Sequence, residues 1–594
     1  MILPHQNLGQ IGVVGDQNGE ALPVNAWTNS MNVRFGALGI EKIKEPALRV
    51  PTPVEMQIFT TKLYKGRAYV FAASQGGLWA FIPDDVADFY WQVQDYPWNE
   101  STKTWADFAA LKAGEWKYKE ADSGLSKWNF THWGDTVIFN CYEQIPQMWD
   151  WDMENWVDLP KWGIVSTEWD LSKGGDPSFD TELRCQRLLA YKSQLVAIGI
   201  KHKDPIDAEL DPEDLPEESP VYEKTEYLEK QNVVWVSNVT SDPTYKVPEG
   251  EPGGGADAGI TGLTAGGPPS WDYISPATLS VQQVVGAGDG RYIAAEPLGE
   301  AIIIYTVTSA HALIFTGGQY VVQTRRLFQR GCVGEFSVCE FDDNHFVIGP
   351  DQIYIHDGNT ARRIGQDMFD MEFYKRAVNL ASATISHDPP NKELWIYFDT
   401  NYGRKGCIYN YSTGTFGWHD GEAKKKKPIS YSSRGYLPKT GAAWGDMRFN
   451  WKETRGAWAS QNEFSFTPYH LVLAQDGIYQ AQAFYATNKD CWVERLSMDF
   501  DDLGMNHWIN KHLKQYWLQM SGDGVLGVRA GWAESPLEAP EWEKPVWIDT
   551  DEDSPLRVDV RTTGRVLSLR FELAEMKYFR WPSGTLNMEA GGAR

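Results

Sequence analysis

Between Glu300 and Gly365 the chain repeats one pattern: a short run of β-branched and aromatic residues, a turn, and a second short run. Ala301-Ile302-Ile303-Ile304-Tyr305 and Ala312-Leu313-Ile314-Phe315 flank Thr308-Ser309, and His345-Phe346-Val347-Ile348 and Gln352-Ile353-Tyr354-Ile355 flank Gly349-Pro350-Asp351. Runs this short, bounded by turn-forming residues, read as strand-turn-strand units; none has the length or the 3.6-residue period of a helix. The unit recurs at 63–71, 133–139, 188–198, 389–398 and 471–479. Hairpins repeated along a chain in this way predict an all-β fold built on a β-propeller, whose blades are small antiparallel sheets; stacked sandwiches are the alternative.

The chain has 594 residues, for which a prior of about 150 per domain suggests roughly four domains, although one propeller absorbs most of that length. The expected division is residues 1–50 as strands closing the propeller, 51–487 as the propeller itself, and 488–594 as a C-terminal β-sandwich-like domain. Trp (27), Tyr (27) and Phe (25) are nearly equal in number, which suits a rigid β-protein or one with wide interfaces. Fifty-five basic against eighty acidic side chains leave a net charge of −25, which argues against an adhesive nucleic-acid binder, since affinity for phosphate comes largely from Lys and Arg. It does not exclude a surface past which DNA slides.

No stretch has the apolar length of a membrane span, and Met1-Ile2-Leu3-Pro4-His5 lacks the features of a signal peptide, so synthesis and retention in a cytoplasm are expected. The six cysteines, Cys141, Cys185, Cys332, Cys339, Cys407 and Cys491, are scattered without a CxxC pair. Neither a disulfide framework nor a zinc site is indicated.

Near the N-terminus, Asn32-Val33-Arg34-Phe35 alternates like a half-buried strand, and Ile40 to Ile43 returns as its partner after a glycine-bounded turn. The motif Asn25-Ala26-Trp27-Thr28, then Asn32-Val33-Arg34-Phe35, then Glu41-Lys42, resembles the opening of the tail nozzle proteins of short-tailed bacteriophages, which include the packaged-DNA stabilisation proteins. The likeness continues through Trp128–Asp135 and Gln147–Asp150, Arg187–Ala190, Val234–Ser237, Ala312–Phe315 with Arg330–Val333, and Cys407–Tyr411 with Gly414–Trp418. It covers most of residues 20 to 420, and the order of the motifs carries it. On this footing Trp27 and Phe35 are expected to be buried against a blade and Arg34 to be tied by hydrogen bonds. Trp27→Ala is then expected to cost about 3–5 kcal/mol.

Four segments depart from that pattern and read as insertions: 84–127, rich in Trp, Asp and Lys; 204–230, acidic and proline-bearing; 248–270, Gly/Pro-rich; and 421–465. The last contains the basic run Lys424, Lys425, Lys426 and Lys427. A solvated loop tip is one reading of that run; contact with DNA or an acidic partner is the other. From about Cys491 the period changes, and Tyr516–Met520 with Val525–Trp532 are expected to form a hairpin. Gly564–Phe571 supplies a further strand that again resembles the C-terminal part of nozzle proteins. Its Arg565 and Arg570 are expected either to pair with Glu572 and its neighbours or to contact a second subunit or adaptor.

Catalytic patterns are sparse. Asp122-Ser123-Gly124 with Ser126 and Trp128 resembles the Asp-box turn of sialidases, but it occurs once and with the Trp displaced. No G-x-S-x-G elbow, P-loop or HExxH helix is present. Asp549-Thr550-Asp551-Glu552-Asp553 lacks the Gly and bidentate Glu of a calcium loop and reads as a charged turn. No catalytic residue, cofactor or metal ligand is assigned. The resemblance implies a non-enzymatic virion protein: a nozzle subunit in a ring of six copies, in the virion tail below a portal adaptor. Tail fibres or spikes attach to such a ring, and double-stranded DNA passes through its lumen. The competing expectation is a carbohydrate-binding or glycan-cleaving propeller acting at a host surface.

Overall fold

The computed structural model describes residues 2–83, 114–167, 179–206, 223–224, 226–238, 271–316, 322–437, 468–485, 490–501, 505, 508–550 and 556–591, less positions 193, 276–277, 287 and 425–426. The protein is all-β. Seven four-stranded antiparallel sheets follow one another and are the blades of a β-propeller.

The first four blades belong to one compact unit, residues 52–332 with 434–469. They run Ile58–Tyr64 to Gly114–Glu120, Asn129–Trp133 to Asn155–Asp158, Arg184–Tyr191 to Val281–Val284, and Tyr292–Leu298 to Val322–Phe328. The inner strands of the third blade are apolar on both faces because its two neighbours cover it on both sides. In Gln194–His202, for example, Leu195 and Ala197 pack with Trp133, Ile138 and Met148 of the second blade. Val196 and Ile198 of the same strand pack with Ile302, Ile304 and Leu313 of the fourth.

The second unit, 1–51, 333–433 and 470–594, holds three blades and the C-terminal domain. Its blades run Val338–Phe341 to Ala361–Arg363, Ala377–Asp388 to Thr415–His419, and Tyr431–Gly435, Tyr469–Ala474, Gly477–Phe484. The last is completed by Glu45–Pro51 from the N-terminus, where Val50 lies opposite Ile478. Each of the seven hairpins anticipated from the sequence falls within one blade: those at 301–315, 345–355 and 471–479 are the central strand pair, and the other four are the first two strands. At Asp342 and Asp343, φ of 42° and 58° give the two-residue turn whose twist matches a hairpin.

The domain boundaries differ from those expected. Only Glu45–Pro51 joins a blade. The strands before it enter the C-terminal sandwich: Ile2–His5 and Gly39–Lys42 pair with Tyr578–Ala590, and Asn29–Met31 pairs with Trp492–Met498. That sandwich has a seven-stranded and a six-stranded sheet. The hairpin expected from Tyr516 to Trp532 does not form. Lys511–Asp523 lies in the seven-stranded sheet and Val525–Ala533 in the six-stranded one, so the chain crosses between layers at Gly524, whose φ of +125° a side chain rarely adopts.

The insertions are narrower than expected. Gly114–Glu120 is a blade strand paired with Gly77–Pro83, Leu228–Val236 belongs to the third blade, and Tyr431–Gly435 to the seventh. The expected insertion at 248–270 lies outside the described residues. Of the cysteines, all are free and only Cys339 is not fully buried. No helix among the described residues is long and apolar enough to cross a membrane.

Candidate functional site

The N-terminal motif holds a connected set of polar contacts in the second unit. Trp27 is fully buried, but its neighbours lie in the sandwich, not in a blade: its ring centroid is 5.7 Å from that of Trp581 and 6.0 Å from that of Phe571. Its Nε1 donates to the Leu8 carbonyl at 3.0 Å. The strands at 2–5 and 29–42 were drawn into the sandwich, and Trp27 between them went with the layer. His5 sits against it, with Nδ1 2.8 Å from the Tyr516 hydroxyl and Nε2 2.8 Å from the Val24 carbonyl. Because a carbonyl only accepts, Nε2 carries the proton, and the ring is neutral; burial pushes its pKa down to about 4.

Phe35 is buried against the fourth strand of the sixth blade, whose Thr415 Oγ1 donates to the Phe35 carbonyl at 3.1 Å. Asn32 has φ of 56°, a backbone state that Asn tolerates better than most residues. Its Nδ2 donates to Asp420 Oδ2 at 3.0 Å and to the Asp490 carbonyl at 2.6 Å, and its Oδ1 accepts from the Asp420 amide at 3.1 Å. One side chain thus joins the sixth blade to the start of the sandwich.

Arg34 is held on three sides. It lies 3.2 Å from Glu393 in an ion pair, donates to Asn391 Oδ1 at 2.9 Å, and donates to Gln482 Oε1. Asp388 braces the cluster, accepting from Asn391 at 2.8 Å and Gln482 at 2.7 Å. Burial pushes the Glu393 carboxyl up to about 7, with the Arg34 charge pulling the other way. A perturbed carboxylate can mark an active site. Here Glu393 is 1% exposed and engaged by Arg34 and by Trp395 Nε1 at 3.2 Å, which makes it half of a buried structural pair.

Glu41 pairs with Arg580 at 2.5 Å, and Lys42, 2% exposed, donates to the Met576 carbonyl at 2.6 Å. The partners Asp388, Asn391, Glu393 and Gln482 were missed in the sequence, where only the turn at Pro389-Pro390-Asn391 was visible. They lie more than three hundred residues from Arg34, and nothing local marks them.

Arg570 and Arg565 both find partners within the chain: Arg570 Nη1 is 3.2 Å from Glu494, and Arg565 Nε is 3.3 Å from Glu534. Lys427 is ion-paired with Asp476. Lys424 is described in its backbone alone, in a short strand opposite Lys427, and Lys425 and Lys426 lie outside the described residues.

One grouping in the first unit has the residue types of a hydrolase. Ser309 Oγ donates to Asp289 Oδ2 at 2.9 Å and lies 2.8 Å from His311 Nε2, which is itself 3.0 Å from Asp289 Oδ2. In a nucleophilic relay the serine and the acid meet opposite nitrogens of the ring. Here both meet Nε2, and Ser309 is fully buried. Arg326 adds an ion pair to Asp289 at 3.1 Å, so the cluster clamps the turn before Ala310–Phe315. In the sequence Thr308-Ser309 read only as a turn between two strands, and Asp289 comes from the preceding loop. At the Asp-box-like turn, Asp122 Oδ1 accepts from the Gly124 amide at 2.9 Å and Trp128 Nε1 donates to the Ser74 carbonyl at 2.9 Å, again a structural turn. Among the described residues, no group of three or more His, Cys, Asp or Glu could hold a metal ion.

No known protein family matches the chain, and no curated protein matches it. Solved structures do. The N-terminal domain of Nup159 is similar over 74% of this chain and 94% of its own, at 8% identity and a TM-score of 0.34. YCF48 bound to D1 peptide is similar over 74% and 95%, at 9% identity and 0.32. An acylaminoacyl peptidase in complex with Z-Gly-Gly-Phe-chloromethyl ketone is similar over 76% and 57%, at 9% identity and 0.29. Likenesses of this order carry no argument about function, and the fold rests on the seven sheets themselves.

Proposed function

We propose that the chain is a non-enzymatic virion protein, a subunit of the tail nozzle of a short-tailed bacteriophage that extends the tail channel, retains packaged DNA and conducts it at ejection. The observation that carries this reading is the ordered series of nozzle-like motifs between residues 20 and 420. The use made of the first of them supports it. Trp27, Asn32, Arg34, Phe35 and Lys42 all hold layers together, which is what a load-bearing scaffold asks of its characteristic residues. The net charge of −25 suits a wall that DNA passes without adhering.

A ring needs a head-to-tail interface between copies, and the portal adaptor is its expected platform. Antibody raised against the purified protein should label the tail of phage particles, and negative-stain images of those particles should show a ring at the labelled position. Absence of label from the particles, with release of reducing sugar from host polysaccharide by the protein, would replace this reading with a glycan-cleaving propeller.

A further inference from the structure

The outer face of the six-stranded sheet in the C-terminal sandwich carries an arrangement that the nozzle reading does not use. Val493, Val528 and Phe571 belong to the core, so the residues beside them in each strand point outward. Strand register sets these outward residues in rows. One row runs Trp547, Gly527, Glu572, Trp492; the next places Arg529 opposite Arg570 and Arg570 opposite Glu494. A third places Trp542 opposite Gly531 and Gly531 opposite Ser568.

Two of the three indoles therefore stand over glycine. A Cβ on Gly527 would lie 2.7 Å from the Trp547 ring, and one on Gly531 would lie 2.9 Å from the Trp542 ring. Each ring rests on strand backbone where no other residue would admit it, and Trp547 keeps 49% of its surface exposed. Four residues of strand separate the two glycines, about 13 Å. Between the indoles and Trp492 lie the charges: Arg529 Nε is 2.8 Å from Glu572 Oε1, Arg570 Nη1 is 3.2 Å from Glu494 Oε2, and the Arg570 guanidinium sits 4.3 Å from the Trp492 ring centroid.

We propose that this face binds a neutral oligosaccharide, its sugar rings stacked on Trp542 and Trp547 and its intervening hydroxyls hydrogen-bonded by Arg529 and Glu572. A pyranose ring presents a face of C–H groups that complements the negative face of an indole. Vicinal hydroxyls match the paired atoms of a guanidinium or a carboxylate. A protein partner calls for the reverse layout, an apolar centre with charges at the rim, whereas here charge occupies the centre and the indoles the margin. Phosphate is disfavoured by Glu494 and Glu572. The inference stands independently of the nozzle reading.

The test is a glycan array of neutral and acidic oligosaccharides probed with the full-length protein. At least one neutral oligosaccharide should bind. Trp547→Ala and Arg529→Gln should each weaken that binding by about tenfold or more, while Trp547→Phe, which keeps an aromatic face, should retain most of it. Trp517→Ala, which removes an indole 44% exposed on the other sheet, should change nothing; matched thermal unfolding of the Phe and Gln variants shows that the fold is intact. The proposal is overturned if no neutral oligosaccharide binds, or if binding survives both Trp547→Ala and Trp542→Ala. It is equally overturned if Trp547→Ala changes only the oligomeric mass, which would make the face a protein contact, or only the retention of duplex DNA.

Discussion

Arg34 and Glu393 show what a buried charge costs when it loses its partner. Arg34→Met leaves a 1%-exposed carboxylate facing an apolar side chain, and breaking such a pair typically costs about 3–5 kcal/mol. Guanidinium denaturation should show that loss, and adding Glu393→Gln to the same protein should recover a good part of it; a double variant no better than the single one would mean that Arg34 stabilises by other contacts. The buried histidines make a second case. His5, His132 and His470 are each pushed down to about 4 and His356 to about 3, in every case chiefly by burial. Between those values and the unfolded value of about 6.5, the unfolded chain binds more protons than the folded one. Their contribution is therefore complete above pH about 6.5 and is lost as pH falls toward 4. The denaturation midpoint should drop between pH 7.5 and 5, and His470→Gln should shrink the drop.

Among the elements, Glu45–Pro51 has the most asymmetric role, because it is the edge strand that completes a blade whose other strands come from residues 431–484. Val50, 1% exposed, is its anchor. Val50→Asp places a charge in that seam and should destabilise by roughly 3 kcal/mol or more. Limited proteolysis should then cut within the first fifty residues earlier than in the unaltered protein; an unchanged digestion pattern would show that the strand is held by its backbone ladder alone.

At the scale of the whole molecule, charge decides behaviour toward DNA. With 55 basic and 80 acidic side chains, and with Lys427, Arg565 and Arg570 all engaged by carboxylates, the chain as a whole repels phosphate more than it attracts it. Duplex DNA should migrate unretarded with the purified protein at physiological salt in a gel-shift assay. Retardation that disappears when Lys424 to Lys427 are changed to Gln would instead assign a gripping role to that basic run.

The blades were legible in the sequence because a hairpin is a local object: two apolar runs and the turn between them suffice, and all seven lay within short windows. Which hairpins stay hairpins was not. Tyr516–Met520 and Val525–Trp532 satisfy every local rule for pairing, yet they lie in different sheets, because each alternating strand buries more by joining the layer that covers its apolar face. The N-terminal strands obey the same competition: alternation in Asn32–Phe35 predicted a buried face, but only the packed sandwich decided that Trp27 would meet Trp581 and Phe571. Arg34 could be marked as important from its motif, while its partners Asp388, Asn391, Glu393 and Gln482 were chosen by chain segments that meet only when the fold closes. Local sequence determines strands and turns through short-range sterics and periodicity; partners distant in the chain are set by burial and by the need to satisfy every charge that burial encloses.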